Sequence, residues 1–343
     1  MSRYLVTGAA GYLGSHLVAA LRAAGHEVVA LCRRPPAAVA ALGATVRLGD
    51  VLESGSVRDA AAGCDGLFHC AGRVSRDPGD AEQLYRLHVD GTKKTLDASA
   101  EAGVRRAVVA SSSGTLAVSS DPDRVADEDT ASAADVIHRW PYYRSKLYAE
   151  QAALDRSRDG FDVVSVNPSL LLGPVLGGFG GGARPESSTD DVRKFLERQI
   201  PFVPAGGIAF VDVRDAAVAM IRAMERGAGG RRYLVNAANM TLAAFFGRLE
   251  RLSGVKAPPV ALPRTSAALA GVGADLVERA ARALGLRSPV DRISAEMAQY
   301  YWYCDAGRAR RELGWEHRDP GETLRDTVDD LRERGVVWPR ADR

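Results

Sequence analysis

The stretch Thr7-Gly8-Ala9-Ala10-Gly11-Tyr12-Leu13-Gly14 joins the apolar run Tyr4-Leu5-Val6 to a segment with helical apolar spacing that begins at Tyr12. A strand that turns directly into a helix leaves the first helical N–H groups unpaired and aims the positive end of the helix dipole at the turn. That end suits an anion, and the pyrophosphate of a dinucleotide fits it. The three glycines divide the work: Gly8 permits the tight turn, Gly11 lets backbone approach phosphate without a Cβ, and Gly14 lets helix and strand pack closely. In a chain with 35 glycines a bare match would say little. The position of this one on a strand-turn-helix gives it weight.

Beyond this turn, short β-branched runs alternate with Ala-rich helical stretches, the rhythm of βαβ units in a parallel sheet. Strands are predicted at Tyr4–Thr7, Glu27–Cys32, Thr45–Leu48, Gly66–Cys70, Arg106–Ser111 and Asp162–Val166. Helices are predicted at Tyr12–Ala24, Ser56–Ala62, Ala81–Ala102 and Tyr142–Arg158. The fold class expected is α/β: a doubly wound parallel sheet (Rossmann) with a smaller, mostly helical C-terminal lobe. The segment Gly177 to Ser188 is too rich in Gly, Pro and Ser for a regular element and reads as a loop beside the substrate pocket. A βαβ-like return is expected at Ile208–Met224 and Arg231–Val235, then helices to about Arg334 and a frayed tail after Val337. This divides the chain into a dinucleotide-binding unit, 1–174 with 207–235 returning to it, and a substrate lobe, 175–206 and 236–335.

The 343 residues are 46% hydrophobic, enough for a full core. With 45 basic and 43 acidic residues the net charge is +2, no excess to hold a polyanion, so nucleic acid is not expected as a partner. Cys32, Cys64, Cys70 and Cys304 form no CxxC pair, which favours a reducing, cytoplasmic setting and no metal. The residues after Met1 show no basic segment, hydrophobic core or cleavage site of an export signal. The apolar run Ala267 to Val277 is too short to span a membrane and carries Asp275.

Tyr142 and Lys146 stand four apart, which on a helix puts both on one face about 5–6 Å apart at Cβ. A nearby ammonium favours phenolate and brings a tyrosine's proton toward the working range. Only five lysines occur, at 93, 94, 146, 194 and 256, beside 10 tyrosines. The chance expectation for such a pair is roughly 0.15, the product of ten tyrosines and lysine's frequency, so one is a signal. The ordinary alternative is a surface tyrosine beside a solvated lysine.

These motifs together resemble the extended short-chain dehydrogenase/reductase family, part of the NAD-dependent epimerase/dehydratase superfamily. The resemblance runs through TGAAGYLGSHL, Gly49-Asp50-Val51, Phe68-His69-Cys70-Ala71-Gly72, Tyr142-Tyr143-Arg144-Ser145-Lys146 and Phe210-Val211-Asp212-Val213-Arg214-Asp215. It implies that Gly8, Gly11, Tyr12, Leu13, Arg33, Arg34, Asp50, Val51, Ala71, Tyr142, Lys146 and Pro168 bind the cofactor, with Asp50 near adenine and Lys146 on the nicotinamide ribose. It also implies Tyr142 as acid/base and a serine from Ser111-Ser112-Ser113-Gly114-Thr115 beside the substrate oxygen. The reductase pattern Ser-Ser-x-Gly-Thr selects Ser112; the epimerase pattern would select Ser113. One departure is His88, in His88-Val89-Asp90-Gly91-Thr92, where relatives usually have asparagine.

Asn167-Pro168-Ser169-Leu170-Leu171-Leu172-Gly173-Pro174 looks like the segment of dihydroflavonol-reductase-like and 3β-hydroxysteroid-dehydrogenase-like members. The implied reaction is reversible carbonyl reduction of a mostly apolar ketone or aldehyde. Two alternatives stand beside it: an NAD-dependent nucleotide-sugar epimerase or dehydratase, and a catalytically inactive protein that senses cofactor. The second strand ends Val28-Val29-Ala30-Leu31-Cys32 without the carboxylate that would hold a ribose 2′-OH, and Arg33-Arg34 follow, so NADP is expected and NAD remains open. Met297, Tyr300, Tyr301, Trp302, Tyr303 and a helix from about Ser266 to Leu284 supply apolar bulk for the second lobe. Arg33, Arg184 and Arg193 could take an acidic group on the substrate. A homodimer is common among such relatives.

Overall fold

The computed structural model describes residues 1–176, 188–263, 267–283 and 291–337. The expected loop at Gly177 to Ser188 falls, but for Ser188 itself, outside the described residues, as does Arg184.

Seven parallel strands form the main sheet: β1 (Arg3–Thr7), β2 (Glu27–Cys32), β3 (Thr45–Leu48), β4 (Gly66–His69), β5 (Arg106–Ala110), β6 (Asp162–Pro168) and β9 (Arg232–Val235). Their order is β3-β2-β1-β4-β5-β6-β9, which reverses between β1 and β4. There Val6 stands opposite both Ala30 and Phe68. Crossover helices leave to opposite faces at such a point, opening a crevice beyond the strands' carboxyl ends. On one face the helices Tyr12–Ala23 and Val213–Arg226 pack over Val6, Phe68, Val108 and Val164. On the other, Ser54–Ala61 and Gly91–Glu101 cover Leu5, Leu67, Ala107 and Val163. Strands buried on both faces read as continuous apolar runs, which is why β1, β2 and β5 were legible in sequence.

A second sheet holds β7 (Leu170–Leu172), β8 (Gly207–Asp212) and β10 (Ala238–Thr241), with β8 parallel to β7 and antiparallel to β10. This corrects the expected return at Ile208–Met224. The strand there joins the second sheet, and only the helix Val213–Arg226 and β9 rejoin the first. Phe210 and Val211 are both fully buried, so the run shows no alternation that could tell which sheet it would join. Phe210 and Leu172 instead enter a separate core with Phe195, Phe245, Leu249, Leu324 and Val328 from three helices, Asp190–Leu196, Leu242–Ser253 and Pro320–Glu333.

The segment read as one helix at Ala81–Ala102 is interrupted. It runs as Ala81–Tyr85, a wide π-type turn at Arg86–Asp90, and Gly91–Glu101. Such turns are lone insertions in a helix, and they occur often at functional sites. His88 lies in this one.

Candidate active site

Gly8 adopts φ of +71°, and a Cβ there would lie 2.6 Å from the backbone of Cys70 and Ala71. A Cβ on Gly14 would lie 2.1 Å from the Gly8 carbonyl oxygen. Gly11 is exposed, and a Cβ on it would meet nothing but the Gly8 carbonyl within 4 Å. No side chain caps the helix that begins at Tyr12, so its first N–H groups face the crevice mouth without a protein cap. This arrangement fits a bound pyrophosphate through backbone N–H groups. The Tyr12 hydroxyl is engaged elsewhere, donating to the Gly173 carbonyl at 2.6 Å, and Leu13 is buried in the core, so both face the crevice only through backbone.

The other expected cofactor residues lie at or beyond the carboxyl ends of the parallel strands. Arg33 and Arg34 are exposed just past β2. Asp50 accepts the Leu52 N–H at 3.0 Å, and Val51 is buried. Ala71 follows β4, whereas Pro168 is buried at the last position of β6, where a missing N–H costs nothing at the strand's exit.

The helix Pro141–Leu154 carries Tyr142, Lys146 and Glu150 on successive turns of one face. Lys146 Nζ donates to the Ala110 carbonyl at 2.9 Å, which ties the ammonium to the end of β5. Burial lowers the Lys146 ammonium to about 8, opposed by Cys70 and Glu150. Burial, with Tyr143 beside it, raises the Tyr142 phenol well above its ordinary value and favours its protonated form. The His88 ring meets the Tyr142 ring edge-on at 5.8 Å.

The three serines at the end of β5 have separate partners. The Ser111 hydroxyl donates to Glu150, and Ser113 is buried against the Cys304 thiol. Ser112 is partly exposed, and its Oγ accepts the Gly114 N–H at 3.2 Å. Two of the three hydroxyls thus have side-chain partners, and Ser112 meets main chain.

Sequence reading did not single out Glu150, which is 1% exposed, although its spacing from Tyr142 and Lys146 was a usable signal. Its carboxylate accepts from Ser111, from Thr115 at 3.1 Å and from Asn167 at 2.6 Å, and pairs with Arg232 at 3.1 Å. One group therefore ties together the ends of β5, β6 and β9. Replacing a buried ion-pair partner strands the others, so Glu150→Ala is expected to cost about 3–5 kcal/mol. Urea unfolding measures it, and a loss under about 1 kcal/mol would contradict the network. His69, Ser111, Lys146 and Glu150 also line a cavity of about 10 Å³ behind the lysine. His69 bonds Thr7 and Thr92 at 2.8 and 3.0 Å, and burial with Lys146 nearby lowers it to about 3.

On the other side of Tyr142 stands an aromatic wall. Tyr143 and Trp302 pack at 4.9 Å and cover Gly114, where a Cβ would strike the Tyr143 ring at 2.1 Å. Trp140 and Tyr300 extend the wall behind them. Tyr301 instead is buried, with its hydroxyl on the Ala205 carbonyl. The expectation that Arg193 could serve an acidic substrate group is corrected, because its guanidinium is occupied by Asp190 and Glu197. Two cations lie beside the wall: Arg76, reaching Asp191 at 3.2 Å and Ser294 at 3.0 Å, and Arg139, over the Trp140 ring and donating to the Tyr300 hydroxyl at 2.8 Å. Among the described residues no His, Cys, Asp and Glu cluster has the geometry to hold a metal, and no helix is long and apolar enough to cross a membrane.

A family model described as the NAD dependent epimerase/dehydratase family matches residues 4–236. The chain is 33% identical over 344 residues to a putative dihydroflavonol 4-reductase of Synechocystis sp., covering 97% of this chain and 96% of that one. It is 32% identical over 354 residues to the 4-hydroxy-2-methyl-3-oxo-4-farnesyl-3,4-dihydroquinoline-1-oxide ketoreductase of Stigmatella aurantiaca, covering 97% and 96%. Among solved structures, the crystal structure of gox2253 superposes with a TM-score of 0.82 at 28% identity, covering 98% of this chain and all of that one. With the parallel sheet, the glycine turn and the Tyr142/Lys146 helix in place, the chain belongs to the NAD-dependent epimerase/dehydratase family, as an NAD(P)-dependent oxidoreductase of the extended short-chain dehydrogenase/reductase type.

Proposed function

We propose that this enzyme uses NADP(H) to reduce a ketone or aldehyde on a mostly apolar small molecule. Residues 1–174 with part of 207–235 would hold the cofactor, and 175–206 with 236–335 the substrate. The observation that carries the reading is the placement of Tyr142. Its phenol is kept protonated by burial, within one helical turn of Lys146 and against an aromatic wall rather than a polar sugar-binding surface. Bound nicotinamide supplies or accepts the hydride at the carbonyl carbon. Tyr142 gives its proton to the carbonyl oxygen, and the Lys146 ammonium stabilises the negative charge left on the phenol. Ser112 donates a hydrogen bond to the same oxygen, a role open to it because Ser111 and Ser113 are committed to Glu150 and Cys304. The ketoreductase and reductase names of full-length relatives support this chemistry.

A cofactor-oxidation screen over apolar ketones, ketoacids and nucleotide sugars tests the reading, with any bound nucleotide identified after denaturation. NADPH consumption with apolar ketones supports it. Turnover of nucleotide sugars alone, without net oxidation and with NAD retained, rejects it in favour of an epimerase.

For the cofactor, the exposed Arg33 and Arg34 stand at the end of β2, where a 2′-phosphate would lie and where no carboxylate competes. A preference for NADPH is expected, on the order of tenfold or more in kcat/KM, since one charge-assisted contact is worth about 1.5–3 kcal/mol. An Arg33→Ala, Arg34→Ala enzyme should lose that preference. Equal kcat/KM for NADH and NADPH in the wild type would contradict the assignment.

A further inference from the structure

His88 is 1% exposed, and both of its ring nitrogens are engaged. Nε2 accepts the main-chain N–H of Arg73 at 3.0 Å, in the loop that leaves β4 past Ala71. A backbone N–H can only donate, so this nitrogen carries no proton and Nδ1 must carry it. Nδ1–H then donates to Ser145 Oγ at 2.8 Å, and Ser145 Oγ donates to the Tyr142 carbonyl at 2.7 Å. The chain of donors runs one way, from the loop beyond β4, through the ring, into the first turn of the catalytic helix.

We infer that His88 is a positioning residue: its neutral imidazole is a strut that fixes the Tyr142 turn against the loop Cys70–Arg73 across the cofactor crevice. The inference rests on the reading of Tyr142 as the acid.

Three further observations support it. The ring sits at the crossing point, since a Cβ on Gly72 would lie 3.2 Å from His88 Nε2 and 3.6 Å from Lys146 Nζ. The ring is disfavoured as an imidazolium: burial, with the Lys146 ammonium beside it, holds it well below its ordinary pKa, and the nearby His69 is itself neutral. The ring also leaves the chain from the wide turn at Arg86–Asp90, which interrupts an otherwise regular helical stretch at this residue. The imidazole, with its two nitrogens on different edges of one rigid ring, meets both contacts at once.

The test uses the full-length enzyme with NADPH and the best ketone found in the screen. His88→Phe keeps a buried ring but loses both hydrogen bonds; His88→Gln restores an acceptor toward Arg73, and His88→Asn a donor toward Ser145. Ser145→Ala removes the next link without touching the ring. A displaced acid is expected to lower kcat about ten- to a hundredfold in His88→Phe, with KM for the ketone changed less than about threefold. Gln and Asn should each recover part of that loss. Ser145→Ala should lower kcat in the wild type and change it less than about twofold in the His88→Phe background, because the chain is already broken there. Activity is taken per folded molecule, with folding followed by thermal melting and NADPH affinity by fluorescence. The strut is rejected if His88→Phe keeps kcat within about twofold of wild type, if its loss is only loss of folded protein, or if the two substitutions add fully. A Tyr142→Phe control separates the two failures. An active control rejects the reading of the site, while an inactive control with a normal His88→Phe rejects only the strut.

Discussion

Tyr142→Phe is expected to lower kcat by about 10²–10⁴-fold while leaving the NADPH dissociation constant within about twofold, the range of a lost general acid. The substitution deletes a single oxygen, and the ring keeps its edge contacts with His88 and Tyr143. Binding and folding should therefore persist where proton transfer does not. Lys146→Ala should behave differently. It removes the charge that stabilises the phenolate and the donor on the Ala110 carbonyl, so both kcat and cofactor affinity fall. Single-turnover measurements at saturating NADPH, with binding followed separately by fluorescence, distinguish the two. A Tyr142→Phe enzyme that keeps more than about one-tenth of the single-turnover rate would remove the phenol from the chemistry.

Gly14→Ala and Gly8→Ala should weaken cofactor binding about a hundredfold. At Gly14 the new methyl would meet the Gly8 carbonyl at 2.1 Å and its carbon at 2.8 Å, and neither is a flexible side-chain end. The helix must back away from the turn, at about 1–3 kcal/mol for overpacking. At Gly8 the left-handed φ of +71° adds about 1–2 kcal/mol, and the methyl would press on the loop at Cys70 and Ala71. Displacing two backbone contacts to a pyrophosphate, each worth about 1.5 kcal/mol, weakens binding about a hundredfold. Gly25→Ala is the control: its φ is +81°, but nothing lies within 4 Å of the new Cβ. It should pay the conformational cost alone and bind NADPH normally. Calorimetric titration of the three variants decides the matter, and a Gly14→Ala affinity within about threefold of wild type would contradict the close packing.

Several elements were legible because their cause is local. Glu27–Cys32 and Thr45–Leu48 were read with the bounds they have: the first is a buried parallel strand that announces itself as an apolar run between turns, the second an exposed edge strand set off by Gly43 and Gly49. The helices at Tyr12 and Pro141 were found within one residue of their starts, the second opening with proline at its first position, where the missing N–H has no cost. Tyr142 and Lys146 were visible for the same reason, because helical spacing alone places them on one face.

What escaped depended on partners far along the chain. β8 has the apolar content of a main-sheet strand, yet its neighbours are Leu170–Leu172 and Ala238–Thr241. The interruption at Arg86–Asp90 contains no proline or glycine, and Gly91, which follows it, continues in helical conformation. Glu150 was not singled out in sequence, because what marks it is the closing of Arg232, Asn167 and Ser111 on it from three strand ends.

Short-range periodicity, turn chemistry and one helical repeat thus sufficed for the strand-turn-helix at Gly8–Gly14, the parallel α/β architecture and the placement of Tyr142 and Lys146 on one helix face. Long-range packing alone settled what Ser111, Ser112 and Ser113 bond to, which sheet receives Phe210, and how His88 connects Arg73 to Ser145. Those outcomes rest on contacts between residues dozens of positions apart, where burial leaves each polar group to the one partner within reach and no local pattern records which that will be.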